Sequence, residues 1–497
     1  MRHLFMRILG RSVAALVVLA PVFTPVFARP PGIRASVSVL DYGADPSGKK
    51  DSAPAINAAL ASGRDVVIAK GNYVLTAGWI SMTLPHQTLS CMPGARLRVV
   101  RPGRNPTPAL IIAQSAVGAR LNGCQIDHDG GQFLPLSPFY PIAWNDGITA
   151  IEGKGLANNP QGKTLRNDGF GVGVLVMADA AELRDVTVLR GWDNSIMVAN
   201  YRMDAPGQSL GPYGVRLTNV RTADAGAGAH SWDPKFYMGC GIDIGTGVDT
   251  MLHDVVDDRS HIGFCVDEAG GASAHFVNAI SHAARMTKAP FIKPDRVSSY
   301  YPDPHDPWHA STISGSAFFF GGSTLSSLTG KPMKDLHESV CTNCQAMEPD
   351  GVGVWLSRIS DGVRFEGLKI IRPGLEGIWA LGGTHTFVDT TIEQPNAFRG
   401  STRIWGVRFP WPQVSAISAH CANCPPFASD SNATHLNLSR EQLNTTLLFH
   451  GLKIDAGSGQ RTYSYVYTTR STSDETSIIK SERVEAPAGA LGLEDRQ

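Results

Sequence analysis

The segment Ser-Ser-Tyr-Tyr-Pro-Asp-Pro-His-Asp-Pro-Trp-His at positions 298–309 gathers several groups able to move protons into twelve residues. Tyr300, Asp303 and His305 carry groups with acid/base potential, Trp308 offers an aromatic face, and Lys288, Lys293 and Arg296 lie just upstream. Pro302, Pro304 and Pro307 each fix φ and lack an N–H, which excludes a helix interior or a central strand. A loop is therefore expected, and its meaning depends on what lies beneath it. A second group is acidic: Asp243, Asp267 and Glu268. If neighbouring strands bring Asp243 and Asp267 together, their repulsion raises the pKa of one. Two carboxyl groups of unequal pKa are what glycosidic bond cleavage needs, one to protonate the leaving oxygen and one to activate water or attack.

The elements that must carry these residues repeat. One row has an apolar residue two positions before a turn residue: Leu121, Leu183, Leu217, Leu252, Phe276, Phe365 and Phe387. A second row reads Gly-apolar-x-apolar from Gly173, Gly241, Gly263, Gly353 and Gly377. Leu252 to Phe276, Phe365 to Phe387, Gly241 to Gly263 and Gly353 to Gly377 are each 22 to 24 residues apart, so both rows share one period. That period, with two short strands and a fixed Asn/Asp/Gly turn in each repeat, predicts the coils of a parallel β-helix. The turn residues Asp185, Asn219, Asp254, Asn278 and Asp389 are expected to stack as a polar ladder, each satisfying backbone donors of its own bend.

Strand alternation sorts the second row. Residues one and three after each Gly point inward, and the residue between them points outward. The outward file reads Leu175, Asp243, Cys265, Trp355 and Trp379. Trp355 and Trp379 are one coil apart and are predicted to lie side by side as an exposed strip for stacking sugar faces. Residues 313–322, Ile-Ser-Gly-Ser-Ala-Phe-Phe-Phe-Gly-Gly, supply a further strand of this row. About forty residues remain between the coil of Asp267 and that of Trp355, much of them at 285–311, so this insertion is expected to overhang the same groove.

The N-terminal segment reads as strand, glycine turn, helix capped at Asp51 or Ser52 and ended at Ser62-Gly63, then strand. The helix presents Ile56, Ala59 and Leu60 to close the open end of the solenoid. Asp41-Tyr-Gly-Ala-Asp-Pro-Ser-Gly, Asp51, Ala55-Ile56, Ala58-Ala59-Leu60 and Gly71-Asn-Tyr73 resemble the opening of the pectate-lyase-like superfamily. The resemblance implies an exported right-handed β-helix acting on polysaccharides. Tyr300-Tyr-Pro-Asp303-Pro304-His305-Asp306 further resembles the Tyr-Gly-Phe-Asp-Pro-His-acidic motif of alginate C5-epimerases. It implies Tyr300 and His305 as acid and base on the C5 proton, assisted by Asp303. The Asn-Thr-Asp, Gly-His-Gly and Arg-Ile-Lys signatures of the polygalacturonase branch do not occur.

Composition bounds the rest. The 44 basic and 44 acidic residues balance, so nothing marks a nucleic-acid partner. Residues 1–28 read as a basic, then apolar, signal peptide ending at Ala28, which predicts a secreted or periplasmic chain without a membrane anchor. The eight Cys, with Cys341/Cys344 and Cys421/Cys424 spaced as C-x-x-C, suit disulfides or buried thiols in such a compartment. No cofactor or metal is predicted, calcium having no motif. The expected organisation is a leader, an all-β solenoid over 29–430, and a cap and tail over 431–497. The expected activity is glycoside hydrolysis of a polysaccharide or oligosaccharide by Asp243, Asp267 and Glu268, with Trp308, Trp355, Trp379, Lys293 and Arg296 binding it. The alternatives are a uronate lyase or C5-epimerase through Tyr300 and His305, and a non-catalytic carbohydrate-binding solenoid.

Overall fold

A computed structural model describes residues 36–102, 107–132, 171–199, 211–226, 239–267, 272–285, 315–321, 338–356, 360–374, 376–380, 383–395 and 397, with the strands at 403–404, 407–408, 417–419, 445–455, 466–468 and 477–485. The proposed leader lies outside them. No described helix is long and apolar enough to cross a membrane.

The described chain winds into a parallel β-helix. Each coil gives one strand to an 11-stranded sheet and two to a 23-stranded one. The strands Cys240–Ile244, Thr250–His253 and Val256–Asp258 make one such coil. Sequence reading foresees only two strands per coil. The third is three residues long with one inward side chain, too little for a periodic pattern.

The first apolar row is a continuous inner file in register: Leu121, Leu183, Leu217, Leu252, Phe276, Cys341, Phe365, Phe387 and Phe449. Cys341 holds the place where spacing alone suggests Val340. Stacking inward side chains at strand spacing removes them from water, the main stabilising term of a solenoid. Phe365 and Phe387 stack with ring centroids 5.1 Å apart, and Phe387 and Phe449 at 4.8 Å.

The turn residues behave as a ladder by a different route from the expected one. Asp185, Asn219, Asp254, Asn278, Asn343 and Asp389 all have φ between 49° and 55°, the left-handed region that Asn and Asp tolerate. The backbone N–H of each of the first five donates to a carbonyl of the next coil, as Asn278 N to Thr342 O at 3.0 Å. The side chains bond along the stack instead of to their own bends: Asn219 Nδ2 donates to Asp185 Oδ1 at 2.6 Å and Asn278 Nδ2 to Asp254 Oδ1 at 2.9 Å.

The N-terminal helix spans Ala53–Ala61 and buries Ile56, Ala59 and Leu60 as expected. Ser52 is its N-cap residue by position, but the Ser52 hydroxyl accepts from Asp45 N, whereas Asp51 Oδ1 accepts from Ala53 N at 3.2 Å and Thr76 N at 2.9 Å. At the other end the coils run past 430. Thr445–Asp455 and Ser477–Glu485 pair in parallel with the preceding coils, and Val466–Thr468 joins the 11-stranded sheet. Disulfides join Cys91 to Cys124, Cys240 to Cys265 and Cys341 to Cys344; Cys421 and Cys424 lie outside the described residues.

Candidate active site

The outward file of the 11-stranded sheet holds the first candidate. Its members in register are Ile111, Leu175, Met197, Asp243, Cys265, Phe319, Trp355 and Trp379. Asp243 is the one ionisable side chain in this run. Trp355 and Trp379 lie side by side as expected, with ring centroids 4.4 Å apart. They are not an exposed strip, however. Only 1% and 2% of their surfaces are accessible, because the outer face of this sheet is covered instead of open. Near the other end of the file Ile111, Leu175 and Met197 join Val172 and Ala199 in an apolar cluster separate from the inner core.

Asp243 likewise does not stand in open water. Its residue surface is half-buried, but its carboxyl is closely surrounded by the chain, and this loss of solvation pushes it up to about 7, against the opposing hydrogen bond from Asn194. Its in-register neighbour is Cys265, so Asp267 stands two residues further along the next strand, its backbone paired with Gly321. The side chain of Asp267 is outside the described residues. So are Glu268, Lys288, Lys293, Arg296, Tyr300, Asp303, His305 and Trp308.

A second carboxyl, which sequence reading misses, is Asp193, near enough for the charge of Asp243 to act on it. Asp193 lies in the turn before the strand Ile196–Val198, on the coil preceding Asp243. Its carboxyl is held well above the usual range, first by burial and then by the charge of Asp243. Asp193 Oδ2 has no hydrogen-bond partner among the described residues. Ser195 takes the place of the repeat glycine in this coil, which hides it from the glycine row. The remaining signal is Ile196-Met197-Val198, the same apolar-x-apolar strand.

Packing fixes the turn that carries Asp193. Trp192, beside it, belongs to the inner core, and its backbone N–H donates to His128 Nδ1 at 3.1 Å. With Nδ1 accepting, His128 Nε2 carries the proton and donates to Thr107 O at 2.7 Å. Burial keeps this histidine neutral by lowering its pKa to about 4. A side chain at Gly191 would put its Cβ 2.3 Å from Asn194 O, so the turn closes only around glycine. Gly226 N donates to Asp193 O at 2.7 Å from the next coil.

Asn194 completes the group. Its Nδ2 donates to Asp243 Oδ2 at 2.8 Å, and its Oδ1 accepts from Cys240 N at 2.8 Å. The arrangement can therefore hold a proton on one carboxyl while a second, supported by an amide donor, ionises near neutrality. No group of three or more His, Cys, Asp or Glu placed to hold a metal ion occurs among the described residues.

No family model matches the chain, and no characterised protein sequence is similar to it. Solved structures are. The A-module of Azotobacter vinelandii mannuronan C-5 epimerase AlgE4 is 12% identical with a TM-score of 0.51, over 91% of this chain and 96% of that one. The AlgE6 A-module gives 10% and 0.51 over 90% and 94%. The likeness is one of fold, the parallel β-helix. A family 28 exopolygalacturonase of Yersinia enterocolitica shares 14% identity with a TM-score of 0.48, over 91% of this β-helix and 78% of that chain. Identities this low establish the β-helix and leave its chemistry to the carboxyl groups it carries.

Proposed function

We propose that this β-helix is a polysaccharide-active enzyme that cleaves glycosidic bonds with Asp193 and Asp243 as its acid/base pair. The observation that carries the reading is the placement of two buried carboxyl groups on adjacent coils, with unlike partners. Asp193 Oδ2 has no hydrogen-bond partner among the described residues and its carboxyl is held well above the usual range, which suits it to donate to the leaving glycosidic oxygen. Asp243 accepts from Asn194, ionises near 7, and is the group that activates water or attacks the anomeric carbon. The epimerase modules of similar fold lend the substrate class, a polysaccharide, because mannuronan is one.

A uronate lyase or C5-epimerase reading rests on the sequence Tyr300-Tyr-Pro-Asp303-Pro304-His305 and makes a different product. The test is a panel of neutral and uronate polysaccharides, followed for reducing ends and for ultraviolet absorbance of unsaturated sugars. Hydrolysis predicts reducing ends without absorbance. Reducing ends and absorbance rising together would replace hydrolysis by elimination, and C5 inversion without cleavage would replace it by epimerisation.

A further inference from the structure

Asn194 follows Asp193 on the same coil, is 3% exposed, and reaches the coil of Asp243 with its side chain. An amide side chain has one acceptor oxygen and one donor nitrogen. With Oδ1 taken by the backbone N–H of Cys240, Nδ2 must face Asp243, where it meets Oδ2 at 2.8 Å. The orientation of Asn194 therefore depends on the position of one backbone N–H. That N–H belongs to a residue fixed in turn: Cys240 is disulfide-bonded to Cys265, the in-register neighbour of Asp243 on the following coil. Asp243, Asn194, Cys240 and Cys265 form a closed circuit of hydrogen bonds, covalent links and strand pairing.

We propose that Asn194 is the positioning residue that divides the acid and base roles between Asp193 and Asp243, and that the Cys240–Cys265 disulfide holds the backbone N–H that orients it. A donor fixed on Asp243 Oδ2 favours the ionised form of that carboxylate over the protonated one. No described group does the same for Asp193 Oδ2. The pair's proton is thereby sent to Asp193. Without the donor the two carboxyls would differ less, and each would spend more time in the wrong state. The inference rests on the acid/base reading for its catalytic meaning, but its geometry can be tested without any substrate.

The decisive measurement is made on the intact wild-type protein by nuclear magnetic resonance. The side-chain amide signals of Asn194 should titrate with a midpoint near that of Asp243, about 7, and this titration should vanish in Asp243→Asn. In Asn194→Ala, the Asp243 carboxyl should titrate about one pH unit higher, as expected for losing one hydrogen bond to a charged group. The Cys240→Ala/Cys265→Ala double variant should move it in the same direction although Asn194 is still present. Amide signals of Asn194 that ignore pH between 5 and 9 would overturn the proposal, whether or not its variants fold. A double variant that titrates as wild type would overturn the part assigned to the disulfide. Turnover is a separate readout: coupled titration in a protein that cleaves no polymer would leave this inference standing and sink the glycosidase reading.

Discussion

At the scale of residues, the account stands on Asp193 and Asp243 being unlike. Replacing either by Asn keeps shape and removes the proton, and each change should lower kcat by about 10²- to 10⁴-fold, the range for loss of a general acid or base. Circular dichroism spectra should stay unchanged. The pH dependence has a defined sign. Asp243 must be ionised and Asp193 protonated, so kcat/KM should rise through about pH 7 as Asp243 loses its proton and fall again at higher pH, when Asp193, held well above the usual carboxylate range, loses its own. A rate already at plateau at pH 5 would contradict this assignment. Trp355 and Trp379 are now packing residues by position, so Trp379→Ala should cost roughly 3–5 kcal/mol of stability in chemical denaturation. A substitution that left stability intact would restore the exposed platform that sequence pattern suggests.

At the scale of elements, the two rows of the repeat were legible because each strand contributes one or two inward side chains at a constant period. What stayed hidden has a local cause in each case. The coil of Ile196–Val198 carries Ser195 where its neighbours carry glycine. The coil of Phe318–Gly321 also lacks the glycine, with Ala317 in that place, yet its apolar strand stays legible. The three-residue third strands offer one inward residue each, and among the described ones Thr222, Asp257 and Ser281 are polar. Asp257, in the strand Val256–Asp258, points into the core beneath Gly241, where a Cβ would lie 2.1 Å from Asp257 Oδ1. Thr222 and Ser260 hydroxyls donate to that oxygen at 2.8 and 2.6 Å.

Burial pushes Asp257 up to about 7, against the lowering effect of these two hydroxyls. The folded protein thus holds a proton that the unfolded chain releases near 4. Its burden on stability is absent below that value, grows as pH rises, and is complete above about 7. His128 works in the opposite sense, since it stays neutral when folded and its burden grows as pH falls from about 6.5 towards 4. The Asp257 contribution is therefore read as a difference between proteins. Relative to wild type, Asp257→Asn should gain about 4 kcal/mol between pH 4 and 7, following from a shift of about three units. Parallel stability curves for the two proteins would show that Asp257 is ionised in the fold already at low pH.

At the scale of the whole molecule, the solenoid was readable from sequence and the complete site was not. Leu217, Leu252 and Phe276 report a period because a parallel stack repeats the same environment at every coil. A site is the place where that repetition breaks. Asp243 is legible because it stands two residues after Gly241, at the outward position of the glycine row, and the structure sets Met197 on one side of it and Cys265 on the other. Asp193 was missed because a turn residue has no periodic place, and pairing it with Asp243 requires knowing that the two coils are adjacent. Asp267 stands two residues beyond Cys265, the in-register neighbour of Asp243, where the repeat pattern puts it, and its side chain lies outside the described residues.

The central claim is that chemistry belongs to the Asp193–Asp243 pair and not to the 298–309 loop. Turnover of one cleaved polysaccharide by Asp193→Asn and by His305→Ala, compared with wild type at pH 7.5, tests it most directly. The account predicts a loss of at least about 10²-fold for Asp193→Asn and retention of the wild-type product by His305→Ala. Abolished turnover in His305→Ala with Asp193→Asn still active would contradict it and move the active centre to the loop.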